Sequence, residues 1–182
     1  MKKVYYTWQD VERQTQEILR QLQRDAWLPD YVVGLTRGGL VPATLISQYL
    51  EVPMHTLKVS LRDNNSSPES NLWMAEEAFG YVPKNEQILS EFDYAITAKK
   101  ILIVDDINDS GATLTWIKQD WMSGCLPRHE RWNGVWGSNV RVATLVDNES
   151  SASELTVSYS AVGLNKAEED SWIVFPWEEF WK

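Results

Sequence analysis

The stretch Ile101–Leu114, ILIVDDINDSGATL, decides the fold of this sequence. It opens with a continuous apolar run, which is typical of a strand inside a sheet that is covered on both faces. Two acids, Asp105 and Asp106, end the run, and a loop that contains glycine then leads into a helical pattern. A strand, a loop and a helix in this order indicate an α/β protein with a mainly parallel central sheet.

The same order of elements recurs on both sides of this stretch. Apolar spacing predicts helices at 7–24, 40–50 and 113–121, the first of them begun by a capping box of Thr7 and Asp10. Short apolar or alternating runs predict further strands at 30–35, 55–61, 140–147, 155–161 and 172–177. Residues 62–95 break this rhythm with a polar, proline-containing loop and weak helical patterns. We interpret them as a lid or flap on a single domain that spans 1–182.

The composition excludes several classes of protein. The chain has 182 residues and a net charge of −9, whereas a protein that binds nucleic acid usually presents a basic face. One cysteine and two histidines cannot build a disulfide framework or a Cys- and His-rich metal centre. Carboxylates are plentiful, so an oxygen-ligated Mg²⁺ ion stays compatible with the sequence. The sequence has neither a secretory pattern nor an apolar run of about 20 residues, and we expect a soluble, cytoplasmic protein with no membrane segment.

The loop after Asp106 has the features of a phosphate site. Residues 109–113 lie where the next helix begins, so backbone N–H groups and two hydroxyls can surround an anion there. Gly111 would let the backbone approach that anion closely. The preceding acids suit sugar hydroxyls or a hydrated Mg²⁺ ion. The alternative is a helix that Asp109 merely caps, but paired like charges at a strand end are costly without a ligand.

A second loop, TRGG at 36–39, follows another predicted strand. Arg37 and the amides of two glycines can bind a second anion there. The alternative is a plain turn with a surface arginine, which has the same sequence pattern. Both loops belong to the same edge of the sheet, because ligands of parallel sheets bind beyond the carboxyl ends of the strands. Walker A, G-x-G-x-x-G and G-x-S-x-G motifs do not occur in the sequence, which disfavours ATPases, dinucleotide enzymes and serine hydrolases.

These segments resemble the purine branch of the type I phosphoribosyltransferase family. ILIVDDINDSGATL is similar to the family's signature for phosphoribosyl pyrophosphate (PRPP), and VGLTRGGLVPA (33–43) is similar to its pyrophosphate loop. DSWIVFPWE (170–178) is similar to the carboxyl-terminal end of xanthine–guanine and bacterial hypoxanthine phosphoribosyltransferases. The resemblance implies a Rossmann-like, mainly parallel sheet flanked by helices, with a flexible lid or hood. It also implies an enzyme of nucleotide salvage that transfers the 5-phosphoribosyl group of PRPP to a nucleobase of the purine type and releases pyrophosphate, with Mg²⁺ as cofactor.

The resemblance further implies a role for individual residues. The implied ribose and Mg²⁺ ligands, direct or through water, are Asp105 and Asp106. The implied 5′-phosphate site is Asp109, Ser110, Gly111, Ala112 and Thr113, and Asp109 is also the implied catalytic base near purine N7. The implied pyrophosphate site is Thr36, Arg37 and Gly38, and the 36–37 peptide bond is often cis in this family. The implied base site is Trp172, which stacks on the base, and the carbonyl of Ile173.

One position departs from the family's pattern. Purine members carry a lysine shortly after the strand that matches 142–146, where it bonds the 6-oxo group, but here Asp147-Asn148-Glu149 follows that strand. Lys166 is too far along the chain to take that place. We therefore expect Asn148 to select the base. An amide both donates and accepts, so we expect poor use of 6-oxopurines or a broadened range of bases.

Two functions from other classes also fit parts of the sequence. One is a PRPP-binding regulatory protein with the same fold and little or no turnover, although a pure sensor has no need of Asp109. The other is an interaction protein that binds a partner through its tryptophan-rich 116–136 segment. We interpret most of the ten tryptophans as core and subunit-interface residues, which predicts a homodimer or larger homo-oligomer, and the alternative is stacking on an aromatic ligand.

Overall fold

The computed structural model describes residues 2–59, 68–80, 98–124, 134–169 and 171–178. Seven strands lie within these residues: β1 (Lys2–Tyr5), β2 (Tyr31–Thr36), β3 (Met54–Lys58), β4 (Ile101–Asn108), β5 (Val140–Asn148), β6 (Tyr159–Leu164) and β7 (Ser171–Val174). Four helices lie between them: α1 (Trp8–Arg24), α2 (Leu40–Leu50), α3 (Leu72–Phe79) and α4 (Ala112–Gly124). None of the helices in these ranges is both long and apolar enough to cross a membrane.

Five strands form one parallel sheet in the order β3-β2-β4-β5-β6, which confirms the predicted fold class. The register aligns Gly34 with Val104, Asp105 with Thr144, and Asn148 with Leu164. The carboxyl ends of all five strands therefore meet at one edge, where both predicted anion loops lie.

Helices cover the sheet on both faces. Ile101 and Ile103 pack in a cluster with residues of α3 and α4, whereas Leu102 and Val104 pack on the other face with residues of α1 and α2. This burial on both faces explains why β4 is a continuous apolar run in the sequence. The predicted capping box at the start of α1 is confirmed, since Thr7 Oγ1 accepts from the Asp10 amide and the Asp10 carboxylate accepts from the Thr7 amide.

The ends of the chain differ from the sequence-based expectation. β7 does not join the main sheet but pairs in parallel with β1, a strand that the sequence pattern did not predict. β6 begins at Tyr159 rather than at 155. The hydroxyl of Ser153 bonds both the amide and the carbonyl of Leu155, so this part of the chain forms a turn ahead of the strand.

The predicted lid at 62–95 is described only in part. Residues 60–67 and 81–97 lie outside the described residues, so the lid stays a prediction. The intervening helix α3 packs on the core, with the side chains of Met74, Ala75 and Ala78 fully buried. Asp120 of α4 also accepts a hydrogen bond of 2.8 Å from the Asn71 amide. This middle part of the predicted flap is therefore anchored to the domain.

The tryptophan-rich segment 116–136 is likewise described at its two ends, since 125–133 lie outside the described residues. The ring centres of Trp121 and Trp136 are 4.3 Å apart; Trp121 belongs to the buried cluster that includes residues of α4, and Trp136 is partly buried and packs against that cluster. Trp121 is almost fully buried. Trp121 is therefore a core residue and Trp136 packs at the edge of the core, which agrees with the interpretation of most tryptophans as core and interface residues.

Candidate active site

Two neighbouring carboxylates mark the end of β4. Asp105 and Asp106 follow each other on the strand, so their side chains point to opposite faces of the sheet. Asp106 lies directly against the loop after β2, because a Cβ added to Gly38 would overlap the Asp106 carboxylate. Its Oδ1 accepts from the Ile107 amide at 2.8 Å, and Oδ1 of Asp105 accepts from the Asp106 amide at 3.0 Å. Asp106 therefore stands between the two predicted anion loops.

The surroundings of Asp106 disfavour its negative charge. Desolvation raises the pKa of the Asp106 carboxyl above its usual range, the bond from the Ile107 amide opposes the rise, and the Glu178 carboxylate adds to it. A cation placed here would offset the repulsion between these acids. The described residues contain no group of three or more candidate metal-ligating side chains. The two acids of β4 thus fit a hard Mg²⁺ ion whose other ligands are water or substrate oxygens.

The loop after β2 forms the second part of the site. The peptide bond between Thr36 and Arg37 is cis, as the family resemblance implies, and the Arg37 side chain is exposed. The N-cap of α2 is Gly39, which offers no side-chain hydrogen bond to the first turn. The first N–H groups of a helix have no partners within the helix and attract an anion. This loop can therefore present a guanidinium and backbone amides to a phosphate.

Replacing Gly39 by alanine is expected to destabilise the protein. A Cβ at this position would overlap the carbonyl oxygen of Val104 and lie 2.9 Å from the Asp105 Cα, both on the central strand. Overpacking of this kind costs about 1–3 kcal/mol, which lowers Tm by several degrees in a domain of this size. Gly134→Ala is the control, since an added Cβ there meets nothing within 4 Å. Equal melting temperatures in calorimetry would contradict the close packing of this loop on β4.

The loop after β4 has the form of a phosphate cradle at the start of α4. The Ser110 hydroxyl accepts from the Ala112 amide at 3.4 Å, and the Gly111 carbonyl accepts the first helical bond. Gly111 has φ of +84°, and a Cβ there would overlap the backbone of Ser153. The glycine is thus required by its own backbone conformation and by the neighbouring 149–153 segment. The sequence pattern explains this glycine by the close approach of an anion, whereas the structure explains it by contact with the protein's own backbone.

Asp109 pairs with a lysine from another part of the chain. The Lys166 Nζ lies 2.6 Å from Asp109 Oδ1, and the two side chains are only 18% and 28% exposed. The same ammonium lies 5.9 Å from the centre of the Trp172 ring. A carboxylate, a cation and a half-buried aromatic ring therefore meet at the edge of the sheet, next to the phosphate cradle.

The side chain of Asn148 links the backbones of Asp109 and Lys166. Its Nδ2 donates to the Asp109 carbonyl at 2.7 Å, and its Oδ1 accepts from the Lys166 amide at 3.0 Å. The same Oδ1 accepts from the amide and hydroxyl of Ser150, and the residue is only 6% exposed. The side chain expected to read the base is thus engaged by the protein on both its nitrogen and its oxygen.

Sequence reasoning did not assign two residues of this region to the site. Lys166 lies in the turn between β6 and β7, and Glu178, in the segment after β7, acts on the Asp106 carboxyl electrostatically. Lys166 could have been found from the strand order, because β5 and β6 are parallel neighbours that end together. The side chain of Ile173 is apolar and buried, so any polar contact of this residue with a base would come from its backbone.

Comparison with known proteins agrees with this geometry. The family model described as phosphoribosyl transferase domain matches residues 2–182. The chain belongs to this family. The xanthine-guanine phosphoribosyltransferase of Cereibacter sphaeroides is 26% identical over 97% of this chain and 87% of that protein. The hypoxanthine-guanine phosphoribosyltransferase of Schizosaccharomyces pombe is 23% identical over 97% of this chain and 89% of that protein.

A solved structure supports the same membership. The purine phosphoribosyltransferase from Pyrococcus horikoshii is 25% identical to this phosphoribosyl transferase domain, with a TM-score of 0.62 over 99% of this chain and 96% of that one. The resemblance seen in the sequence is thereby confirmed, together with the mainly parallel sheet flanked by helices that it implies, whereas the lid stays a prediction. The phosphoribosyl transferase domain of this chain is a mainly parallel sheet flanked by helices, with the two predicted anion loops at the carboxyl edge.

Proposed function

We propose that this protein is a phosphoribosyltransferase that transfers the 5-phosphoribosyl group of PRPP to a purine base, with release of pyrophosphate, in nucleotide salvage. The observation that carries the proposal is the position of Asp106 between two anion loops, against Gly38 on one side and joined to the 109–113 cradle on the other. PRPP has the matching chemistry, since a polyol separates its phosphate from its pyrophosphate. Family membership over residues 2–182 supports the same reaction.

The two loops would divide PRPP between them. The amides and hydroxyls of 110–113 would bind the 5′-phosphate at the start of α4, and the Thr36–Gly38 loop with the Arg37 guanidinium would bind the pyrophosphate. Asp105 and Asp106 would hold the ribose hydroxyls and Mg²⁺, directly or through water. When bound, Mg²⁺ would neutralise charge on the leaving pyrophosphate.

The group around Asp109 would hold the base. Trp172 would stack on the heterocycle, and the Ile173 carbonyl would meet its edge. As N9 of the base forms its bond to ribose C1 and the bond to pyrophosphate breaks, Asp109 would accept the proton from N7. The transition state resembles an oxocarbenium ion, so fixed charges and exclusion of water contribute more than a protein nucleophile would. We also expect a homodimer or larger homo-oligomer to be the active form.

The test is incubation of the protein with PRPP, Mg²⁺ and a panel of purine and pyrimidine bases, with pyrophosphate as the measured product. We expect pyrophosphate and the corresponding nucleotide with at least one purine. PRPP binding in calorimetry without turnover on any base would instead identify the regulatory protein considered as the alternative. Absence of PRPP binding would contradict both.

A further inference from the structure

Asn108 is a buried amide at the end of the central strand. It is the last residue of β4, directly before Asp109, and it is only 6% exposed. Burying an amide is costly unless its polar atoms are paired. The Asn108 Nδ2 donates to Asp147 Oδ1 at 2.8 Å and to Ser151 Oγ at 2.9 Å, so both of its hydrogens are used. No step of the proposed reaction involves this side chain, so the amide needs another explanation.

The two acceptors belong to different parts of the chain. Asp147 lies beside Asn108 in the sheet, because the register of β4 and β5 pairs these two residues. Ser151 lies beyond the end of β5, in a turn closed by a bond of 2.8 Å from its own amide to the Asn148 carbonyl. Asn108 therefore fixes the place where the chain leaves the sheet and enters the segment 150–154.

Segment 150–154 packs against the predicted phosphate loop at the start of α4. The Ala152 amide donates to the Ser110 carbonyl at 3.2 Å. The next residue, Ser153, fills the space that a Cβ on Gly111 would need, since that atom would lie 2.3 Å from the Ser153 nitrogen. The backbone of the phosphate loop is thus supported on one side by a second stretch of backbone.

The other end of this segment is fixed to α4. The Glu154 amide donates to Thr115 Oγ1 at 3.0 Å. Its carbonyl accepts from Lys118 at 3.4 Å, and its carboxylate accepts from Gln119 at 3.0 Å. These bonds are exposed to water, whereas the Asn108 amide is buried, where a hydrogen bond is stronger. The bonds of Asn108 are therefore the firmer of the two attachments.

We propose that Asn108 is a positioning residue for the 5′-phosphate of PRPP. It anchors segment 150–154, and this segment holds the backbone of 110–113 in the conformation that presents its amides to the phosphate. The proposal rests on the proposed function and adds a residue that acts through the loop and not by contact with PRPP. Amides bind an anion only within a narrow range of distances, so a displacement of about 1 Å is enough to weaken them.

The experiment compares two ligands that the proposed function assigns to different loops. Ribose 5-phosphate carries the group assigned to 110–113, and pyrophosphate with Mg²⁺ carries the group assigned to 36–38. Asn108→Leu keeps the size of the side chain but has no donor. It should raise the calorimetric Kd of ribose 5-phosphate about 10-fold, the loss expected when a buried amide loses its bonds. The Kd of pyrophosphate should change by less than about twofold, because its loop is not in contact with the segment.

A reciprocal exchange tests the hydrogen bond itself. Asn108→Asp removes the donor and places a second carboxylate beside Asp147, so it should weaken ribose 5-phosphate at least as much as the leucine variant. Adding Asp147→Asn restores a donor and an acceptor in the opposite direction, and the Ser151 hydroxyl can donate to the introduced carboxylate. The double variant should bind ribose 5-phosphate within about threefold of the wild type. A role in packing alone would not give this recovery.

Asn139→Leu is the matched control. Asn139 also donates from its amide to two acceptors, the carbonyls of Ala78 and Lys99, but it lies directly before β5, at the amino-terminal edge of the sheet. This variant should melt at a lower temperature and bind both ligands like the wild type. If Asn108→Leu does not fold, Ser151→Ala serves instead. It removes one acceptor and should raise the Kd of ribose 5-phosphate about threefold.

Three outcomes would overturn the inference while the proposed function stands. The first is unchanged ribose 5-phosphate affinity in Asn108→Leu or, where that variant does not fold, in Ser151→Ala. The second is an equal loss of affinity for both ligands, and the third is a double variant that stays as weak as Asn108→Asp. If the wild type binds neither ligand, the proposed function fails, and this inference fails with it.

Discussion

Replacing Asp109 by asparagine lowers kcat by about 10²–10⁴, the usual contribution of a positioned general base, while PRPP affinity falls much less. Asparagine keeps the size of the side chain and the backbone carbonyl that accepts from Asn148. It cannot take a proton, and it gives up the charge opposite Lys166. We therefore expect the rate of the chemical step to fall, while the predicted phosphate-binding loop keeps its conformation.

The measurement pairs steady-state kinetics with calorimetric titration of PRPP. Asp30→Asn is the control, since Asp30 accepts from the Lys100 amide at the amino-terminal edge of the sheet, away from the site. Its kcat should equal that of the wild type. If Asp109→Asn loses PRPP affinity and kcat in equal measure, Asp109 supports the phosphate loop and is not the base.

The double variant Asp105→Asn, Asp106→Asn is expected to weaken PRPP binding in the presence of Mg²⁺ by at least about two decades. A hydrogen bond to a charged group contributes about 1.5–3 kcal/mol, and two carboxylates are neutralised at once. The dependence of PRPP affinity on Mg²⁺ should disappear as well. Titrations with Mg²⁺ and with a chelator measure both effects.

The stability of these variants separates binding from folding. Because its surroundings raise the pKa of Asp106, its charged form is less favourable in the folded protein than in the unfolded chain at neutral pH. A neutral asparagine removes that penalty and can still accept from the Ile107 amide. We therefore expect Asp106→Asn to melt no lower than the wild type. Unchanged PRPP affinity in the double variant would exclude a binding role for these acids.

The local parts of the site could be predicted from sequence because they are set by neighbours along the chain. An apolar run that ends in Asp105 and Asp106, followed by a glycine and a helix, specifies both the strand and its cradle. The contacts of Gly111 could not be foreseen in the same way, since the backbone it touches, at Ser153, comes from a loop beyond β5.

The remaining parts depend on strand pairing. Lys166 is distant from Asp109 in sequence, and the parallel pairing of β4 with β5 and of β5 with β6 brings the two together. β1 could not be foreseen because its four residues are mostly exposed and show no alternation of apolar and polar residues. Its position follows from the partner strand β7 and not from its own sequence.

Because β1 pairs with β7, the order in which the ribosome synthesises the strands determines when this part of the fold can form. All five strands of the main sheet precede β7 in the chain, so the ribosome makes the two anion loops before it makes Trp172. Lys2 aligns with Ser171 in this pair, so β1 cannot form its pairing until β7 has been synthesised. Trp172, which we propose to stack on the base, lies on β7, so a nascent chain without β7 would lack that side of the proposed base pocket.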